Sequence, residues 1–239
     1  MPDADVPTRD PLFEWVDNEP HFRGIRVKRE RIAVAGREFA MVRLDDPAAL
    51  LDHPDFAERF LEDNQAPFGL ELWPSSLMLA ELILREGAGR RRRAIDLGCG
   101  LGLVSMAAAL AGWHITATDN EATSLRFTEY NSGVNRISID VIEPLDWRDP
   151  PTGRKFDRVF GADLLYELVN HAPLLRCIGE LLAPEGVALI VDPNRSVADG
   201  FESMARDGGL DVEIIPTLKQ TVDDCEATGR LYRLGRRVG

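Results

Sequence analysis

From Trp73 to the C-terminal region, apolar positions alternate between two rhythms. Trp73-Pro74-Ser75-Ser76 reads as a helix start with proline early in the first turn. Leu77, Met78, Leu79, Leu82, Ile83 and Leu84 continue it as a strongly apolar helix ending near Gly87. Short apolar runs then alternate with helical stretches. Strands are expected at Ala94–Leu97, His114–Asp119, Asp140–Glu143, Phe156–Asp163 and Val187–Asp192. Helices are expected at Leu103–Ala111, Glu121–Asn131, from about Pro173 to Leu182, and around Ala198–Arg206. Asp211–Leu218 and Arg230–Leu234 close the chain as two strands with no helix between them, which suits an antiparallel edge pair. Repeated strand–helix units imply an α/β, Rossmann-like, doubly wound sheet that is mostly parallel. The segment before Asp63 differs. Arg26–Arg31 alternates charged and apolar residues, and Gly36 can turn it back into Glu38–Leu44, a hairpin pattern, with a short helix following at Ala48–Leu51. The expected division is therefore a β-rich N-terminal lobe over residues 1–63 and a larger α/β domain over 64–239.

Composition narrows the partners. The 239 residues carry a net charge of −12, and an acidic surface repels phosphate backbones, so a nucleic-acid partner is not expected. The one basic cluster, Arg90–Arg93, sits just before a strand, where a solvated loop accounts for it. No apolar run reaches the roughly 18 residues of a membrane span, and Met1–Asp10 has acids and prolines in place of a secretory apolar core. Cys99, Cys177 and Cys225 are far apart and odd in number. They suit reduced thiols in a cytoplasmic protein better than a disulfide framework or a zinc site. His21, His53, His114 and His171 are scattered and read as structural; no metal site is expected.

The chemistry concentrates in Asp96-Leu-Gly-Cys-Gly-Leu-Gly102, at the junction of a strand and a helix. Gly98, Gly100 and Gly102 let the backbone turn tightly and approach a ligand without a Cβ in the way. The crevice beyond a strand's carboxyl end is the usual ligand site of such a sheet. A dinucleotide fingerprint needs a third glycine at position 103, which is leucine, so that register fails. Asp119 ends the next strand, where an acid can accept hydrogen bonds from both ribose hydroxyls of a nucleoside. It also suits a helix N-cap.

The acid-led D-x-G-x-G-x-G loop resembles the first motif of class I, seven-strand methyltransferases that use S-adenosylmethionine (SAM). The resemblance implies that Asp96 organises the amino-acid end of SAM. It puts Gly98, Gly100, Gly102, Asp119 and Asn120 around the cofactor, and makes Asp146 in Asp146-Trp147 the acceptor of the adenine amino group. Within the class, Glu71-Leu-Trp-Pro-Ser-Ser76 is similar to the segment before this loop in the protein-lysine methyltransferases, a group that includes those acting on the electron-transfer flavoprotein beta subunit. There the tryptophan, here Trp73, lies against the cofactor. Gly161-Ala-Asp-Leu-Leu-Tyr-Glu167 resembles their D-x-x-Y signature, which implies Asp163 and Tyr166 as catalytic residues and puts Ala162 beside the cofactor. Val191-Asp-Pro-Asn-Arg195 is similar to the flavoprotein-modifying branch. By residue type alone, Trp73 also suits a core aromatic, Asp163 and Tyr166 suit a helix cap with packing beneath it, and Asp192-Pro193 suits a strand-ending turn. Base and amide methyltransferases carry N/D-P-P-Y at the fourth strand, and both prolines are leucines here.

The resemblance implies methyl transfer to a lysine of a protein substrate, with Tyr166 lining the lysine channel and Asp163 orienting the amine. Two alternatives stay open: a small-molecule N- or O-methyltransferase, and a SAM-binding regulator without turnover. The fold does not separate them, because function sits in the loops.

Overall fold

The computed structural model describes residues 10–16, 19–53, 68–87, 89–222 and 225–237. The expected lobe boundary at 63/64 lies outside them. The N-terminal strands β1 (Glu14–Val16), β2 (Glu19–Phe22), β3 (Ile25–Val34) and β4 (Arg37–Leu44) form one antiparallel sheet in chain order. β3 and β4 meet at Ala35-Gly36, both in the left-handed region (φ 49° and 76°), as a tight two-residue hairpin requires. The short helix expected at Ala48–Leu51 is a 3₁₀ turn over Pro47–Asp52.

The second sheet has the order β10-β11-β9-β8-β5-β6-β7. Its strands are β5 (Arg93–Leu97), β6 (His114–Asp119), β7 (Val141–Pro144), β8 (Phe156–Ala162), β9 (Leu182–Asp192), β10 (Leu210–Val222) and β11 (Cys225–Arg236). β7, β6, β5, β8 and β9 run parallel, and β11 and β10 add an antiparallel edge. Helices α1 (Pro74–Glu86), α2 (Leu103–Leu110), α3 (Ala122–Asn135), α4 (Leu168–Leu181) and α5 (Phe201–Asp207) pack against it. After β5 the chain builds outward through β6 and β7, then returns to lay β8 on the other side of β5. The carboxyl ends of β5 and β8 are thus the point where strand order reverses, the position from which such sheets bind ligands.

The departures from expectation fall at prolines and glycines. α4 begins at Leu168, not Pro173, and carries Pro173 in its interior. Burial of Asn170, His171 and Leu174 outweighs the one main-chain bond the proline removes. His171 packs edge-on against Phe201 at 5.5 Å and is fully buried. The β10–β11 hairpin is longer than expected at both ends. A register shift between Pro216 and Leu218 accommodates the proline within the strand. The helix expected around Ala198–Arg206 is a 3₁₀ turn (Ser196–Ala198) followed by α5, separated by Gly200.

The two sheets share one core. Phe13 and Phe22 meet Phe127 of α3 edge-to-face at 5.8 and 5.4 Å, and Phe13 meets Tyr130 at 4.8 Å. α3 also offers β4 a substitute for a neighbouring strand. The Asn131 Oδ1 accepts from Val42 N–H (2.9 Å), and its Nδ2 donates to Val42 O (3.1 Å) and to Leu101 O (3.0 Å). One turn on, Asn135 pairs both main-chain groups of Ala40 at 2.8 Å. Fully buried Asn131 therefore ties the N-terminal sheet to the glycine loop. Asn131→Ala leaves three buried main-chain groups without their partner. Unfolding free energy should fall by about 2–4 kcal/mol, read as a clear drop in melting temperature; an unchanged melting curve would show that the strap carries no energy.

Candidate functional site

A cleft opens at the carboxyl ends of β5, β6 and β8, the place where such sheets bind ligands. Trp73, Asp96, Gly98, Gly100, Asp119, Asn120, Asp146, Trp147, Ala162, Asp163 and Tyr166 all line it. Gly102 does not. It is the left-handed N-cap of α2, with Thr128 pressed against the place a Cβ would take.

The loop from β5 to α2 is fixed from three directions. Cys99 N–H donates to Thr118 O (2.8 Å), Gly100 N–H donates to the Asp119 carboxylate (3.0 Å), and the Thr128 hydroxyl donates to Gly100 O (2.9 Å). Gly98 and Gly100 both have positive φ, 65° and 52°. A Cβ at Gly100 would stand 2.8 Å from the carbonyl oxygen of Gly69, and one at Gly98 would stand 2.7 Å from Leu164. Gly69, outside the motif, is thus part of the same constraint.

Two carboxylates sit at the floor. Asp96, 1% exposed, accepts a 2.6 Å hydrogen bond from Ser105 of α2. Burial pushes its pKa up to about 7, against the pull of Ser105 and with the Asp119 charge adding to the rise. Asp119 is pushed up to about 6, again by burial, against main-chain donors at Glu121 and Gly100. Their hydrogen bonds come from a hydroxyl and amides, not from cations. At the side, the Arg148 guanidinium forks onto Asp146 (2.8 Å from Nε, 2.7 Å from Nη2) and holds its carboxyl below the ordinary value.

Asp163 follows β8 in a left-handed conformation (φ 62°). Its side chain is 3% exposed, and its Oδ1 accepts from Arg195 Nε (2.9 Å) and Nη2 (2.6 Å). Burial raises its pKa, against the Arg195 charge and the nearby Ser75 hydroxyl. Its Oδ2 and the Ser75 hydroxyl are both buried without a hydrogen-bond partner at normal geometry. Burial pushes the Tyr166 phenol up to about 12, helped by the Glu167 charge, so it is neutral at physiological pH. Arg195 also lies over the Trp73 ring, 5.4 Å from its centroid.

Sequence reasoning did not assign Ser105, Gly69 or Arg195 to the site. Arg195 stood in a recognised segment, but nothing in its spacing pointed to Asp163.

This sheet order, with its antiparallel β10–β11 edge and a glycine loop opening the cleft, defines the Rossmann-like methyltransferase class. A TehB-like SAM-dependent methyltransferase from Corynebacterium glutamicum shares the fold, with a TM-score of 0.53 at 20% identity over 80% of this chain and 100% of that one. A family model described as lysine methyltransferase matches residues 55–204. The chain belongs to this lysine methyltransferase family. The protein N-lysine methyltransferase METTL21A of Mus musculus is 31% identical over 128 residues, 50% of this chain and 58% of the relative. The ubiquinone biosynthesis O-methyltransferase of Marinobacter nauticus is 30% identical over 109 residues, 44% of this chain and 45% of the relative. The chain thus spans about half the length of these curated relatives.

Burial of Asp96 and Asp119 has a consequence for pH. Unfolded, an aspartate titrates near about 4, whereas the folded chain keeps these protons to about 7 and about 6. Between those limits the folded state binds more protons than the unfolded state. Each group therefore lowers stability as pH rises through that window. Asp96→Asn is neutral throughout, so its stability relative to wild type should increase between about pH 5 and about pH 7.5. Denaturant melts of both ligand-free proteins check this, and a difference that does not widen with pH would refute it.

Proposed function

We propose that this protein is a SAM-dependent methyltransferase acting on a lysine side chain of a protein substrate. The observation that carries the reading is a single cleft that joins two buried carboxylates lacking cations to the Asp163–Tyr166 pair and Trp73.

The residues fit the cofactor. Asp96 suits the ammonium of its amino-acid end, Asp119 and Asn120 suit the ribose hydroxyls, and the main chain at Gly98 and Gly100 leaves room that a Cβ would fill. Trp147 and Asp146 suit the adenine, and Trp73 and Ala162 border the same space. SAM supplies a methyl group on a sulfonium, already activated for direct displacement. The chain's own task is then to hold a neutral amine in line with that bond, at about 3–3.5 Å. A lysine ammonium, with a reference pKa of about 10.4, must first lose a proton. The desolvated wall of Tyr166 and Trp73 disfavours the charged form. Asp163, which lines the cleft, can accept a hydrogen bond from the amine and aim its lone pair.

A protein substrate agrees with the family and with the net charge of −12, which opposes nucleic acid. We place the protein in the cytoplasm, since Cys99 and Cys177 are buried free thiols suited to a reducing compartment. No helix among the described residues is long and apolar enough to cross a membrane. Among the same residues, no group of His, Cys, Asp or Glu could hold a metal ion, and the displacement calls for none.

Incubation with methyl-labelled SAM and cell lysate should put label on lysine in the protein fraction. Asp119→Ala should bind SAM about tenfold more weakly or worse by calorimetry, for loss of charge-assisted hydrogen bonds. Label confined to small molecules would favour the small-molecule alternative. SAM binding with no S-adenosylhomocysteine formed would favour a regulator.

Asp163→Ala should lose its rate in single-turnover transfer while SAM affinity stays nearly the same. Tyr166→Phe should be milder than Tyr166→Ala if the ring matters more than the hydroxyl. Stable, fully active Asp163→Ala protein would remove Asp163 from the mechanism.

A further inference from the structure

The acids around Asp163 pose an electrostatic problem for amine methylation. Glu71 and Asp192 are close enough to interact with Asp163, and Asp119, Glu167 and Asp163 all act on Tyr166. Arg43 faces Glu71, and Arg230 reaches Asp192 at 3.4 Å. A carboxylate beside a lysine favours its ammonium form, which has no lone pair to attack with. Asp163 alone would hold the substrate in its unreactive state.

Arg195 answers this problem, and its placement is built. Its N–H donates to Asp192 Oδ2 (2.9 Å), its carbonyl accepts from Arg230 Nη2 (2.7 Å), and preceding Asn194 is left-handed (φ 63°) with its amide on Thr228 (3.2 Å). The guanidinium thus leaves a loop tied to both β9 and β11. It spends two donors on one oxygen of Asp163 and packs over Trp73, while the other oxygen is buried, with the Ser75 hydroxyl near the same carboxyl.

We propose that Arg195 is a positioning residue for methyl transfer: it cancels the charge of Asp163 through Oδ1, so that the carboxyl can orient the amine without trapping it as ammonium. This rests on the lysine reading above. The ammonium proton leaves to solvent. The amine lone pair then forms the N–CH₃ bond as the S–CH₃ bond breaks, with the bonding pair staying on sulfur. The surplus proton of the product ammonium also departs to solvent.

The test uses the full chain and n-butylamine, a mimic of the lysine side chain. Single-turnover transfer from labelled SAM is followed against pH for wild type, Arg195→Gln and Arg195→Lys. In Arg195→Gln the midpoint of the rise in rate should move up by about one pH unit, as expected for loss of one partly screened charge. Arg195→Lys, which keeps the charge, should return most of that shift, and SAM affinity should not change. A second reading needs no turnover. Carbon-13 NMR of the Asp163 carboxyl in the ligand-free protein should show it titrating at higher pH in Arg195→Gln than in wild type. A lower rate at an unmoved midpoint, or an unmoved Asp163 titration, would make Arg195 merely structural and overturn the proposal. Wild-type protein that binds SAM but methylates n-butylamine at no pH would overturn the lysine reading and this inference with it. That outcome differs from the first, because the wild-type profile itself is then flat.

Discussion

The carboxyl edge of the main sheet depends on how little room the loop between β5 and α2 has. Gly100 lies so close to the Gly69 carbonyl that no side chain fits between them. The Asp119 carboxylate and the Thr128 hydroxyl lock the loop from β6 and α3. That closeness brings the loop's main chain to the cleft, beside Asp96 and Asp119. It also fixes α3, whose Asn131 reaches from the loop to the edge of β4. The N-terminal sheet is thereby coupled to the site without lining it, through Asn131, Asn135 and an aromatic cluster.

Charge at the site follows from burial more than from pairing. Asp96 and Asp119 are desolvated carboxylates satisfied by hydroxyl and amide donors, an arrangement that strains the ligand-free protein and suits a cationic ligand. On the other side of the cleft, Arg195 partners Asp163. The floor therefore lacks a cation that a ligand can bring, whereas the Asp163 side carries its own. On the proposed reading, this difference separates a place for a charged cofactor from a place for an amine that must be neutral to react.

Much of this was legible in the residues. The α/β sheet with its antiparallel edge follows from strand–helix alternation, because each element buries an apolar face with its own period. The glycine loop was legible because its conformation is a local demand on adjacent residues. Elements read by their punctuation fared worse. Pro173 reads as a helix start, yet tertiary burial carries α4 through it, and the β10–β11 hairpin runs beyond the expected strand ends with a register shift beside Pro216.

The sequence by itself therefore determined the class of fold, the glycine loop and the carboxylates that end its strands, since these depend on neighbours along the chain. Only the tertiary structure decided the partners: Ser105 on Asp96, Asn131 on β4, and Arg195 on Asp163 across 32 positions. Those contacts arise because β8 and β9 lie side by side, α2 packs on β5 and β6, and α3 packs on β4 and β6. No periodicity or spacing along the chain encodes which side chains such packing brings within hydrogen-bond reach.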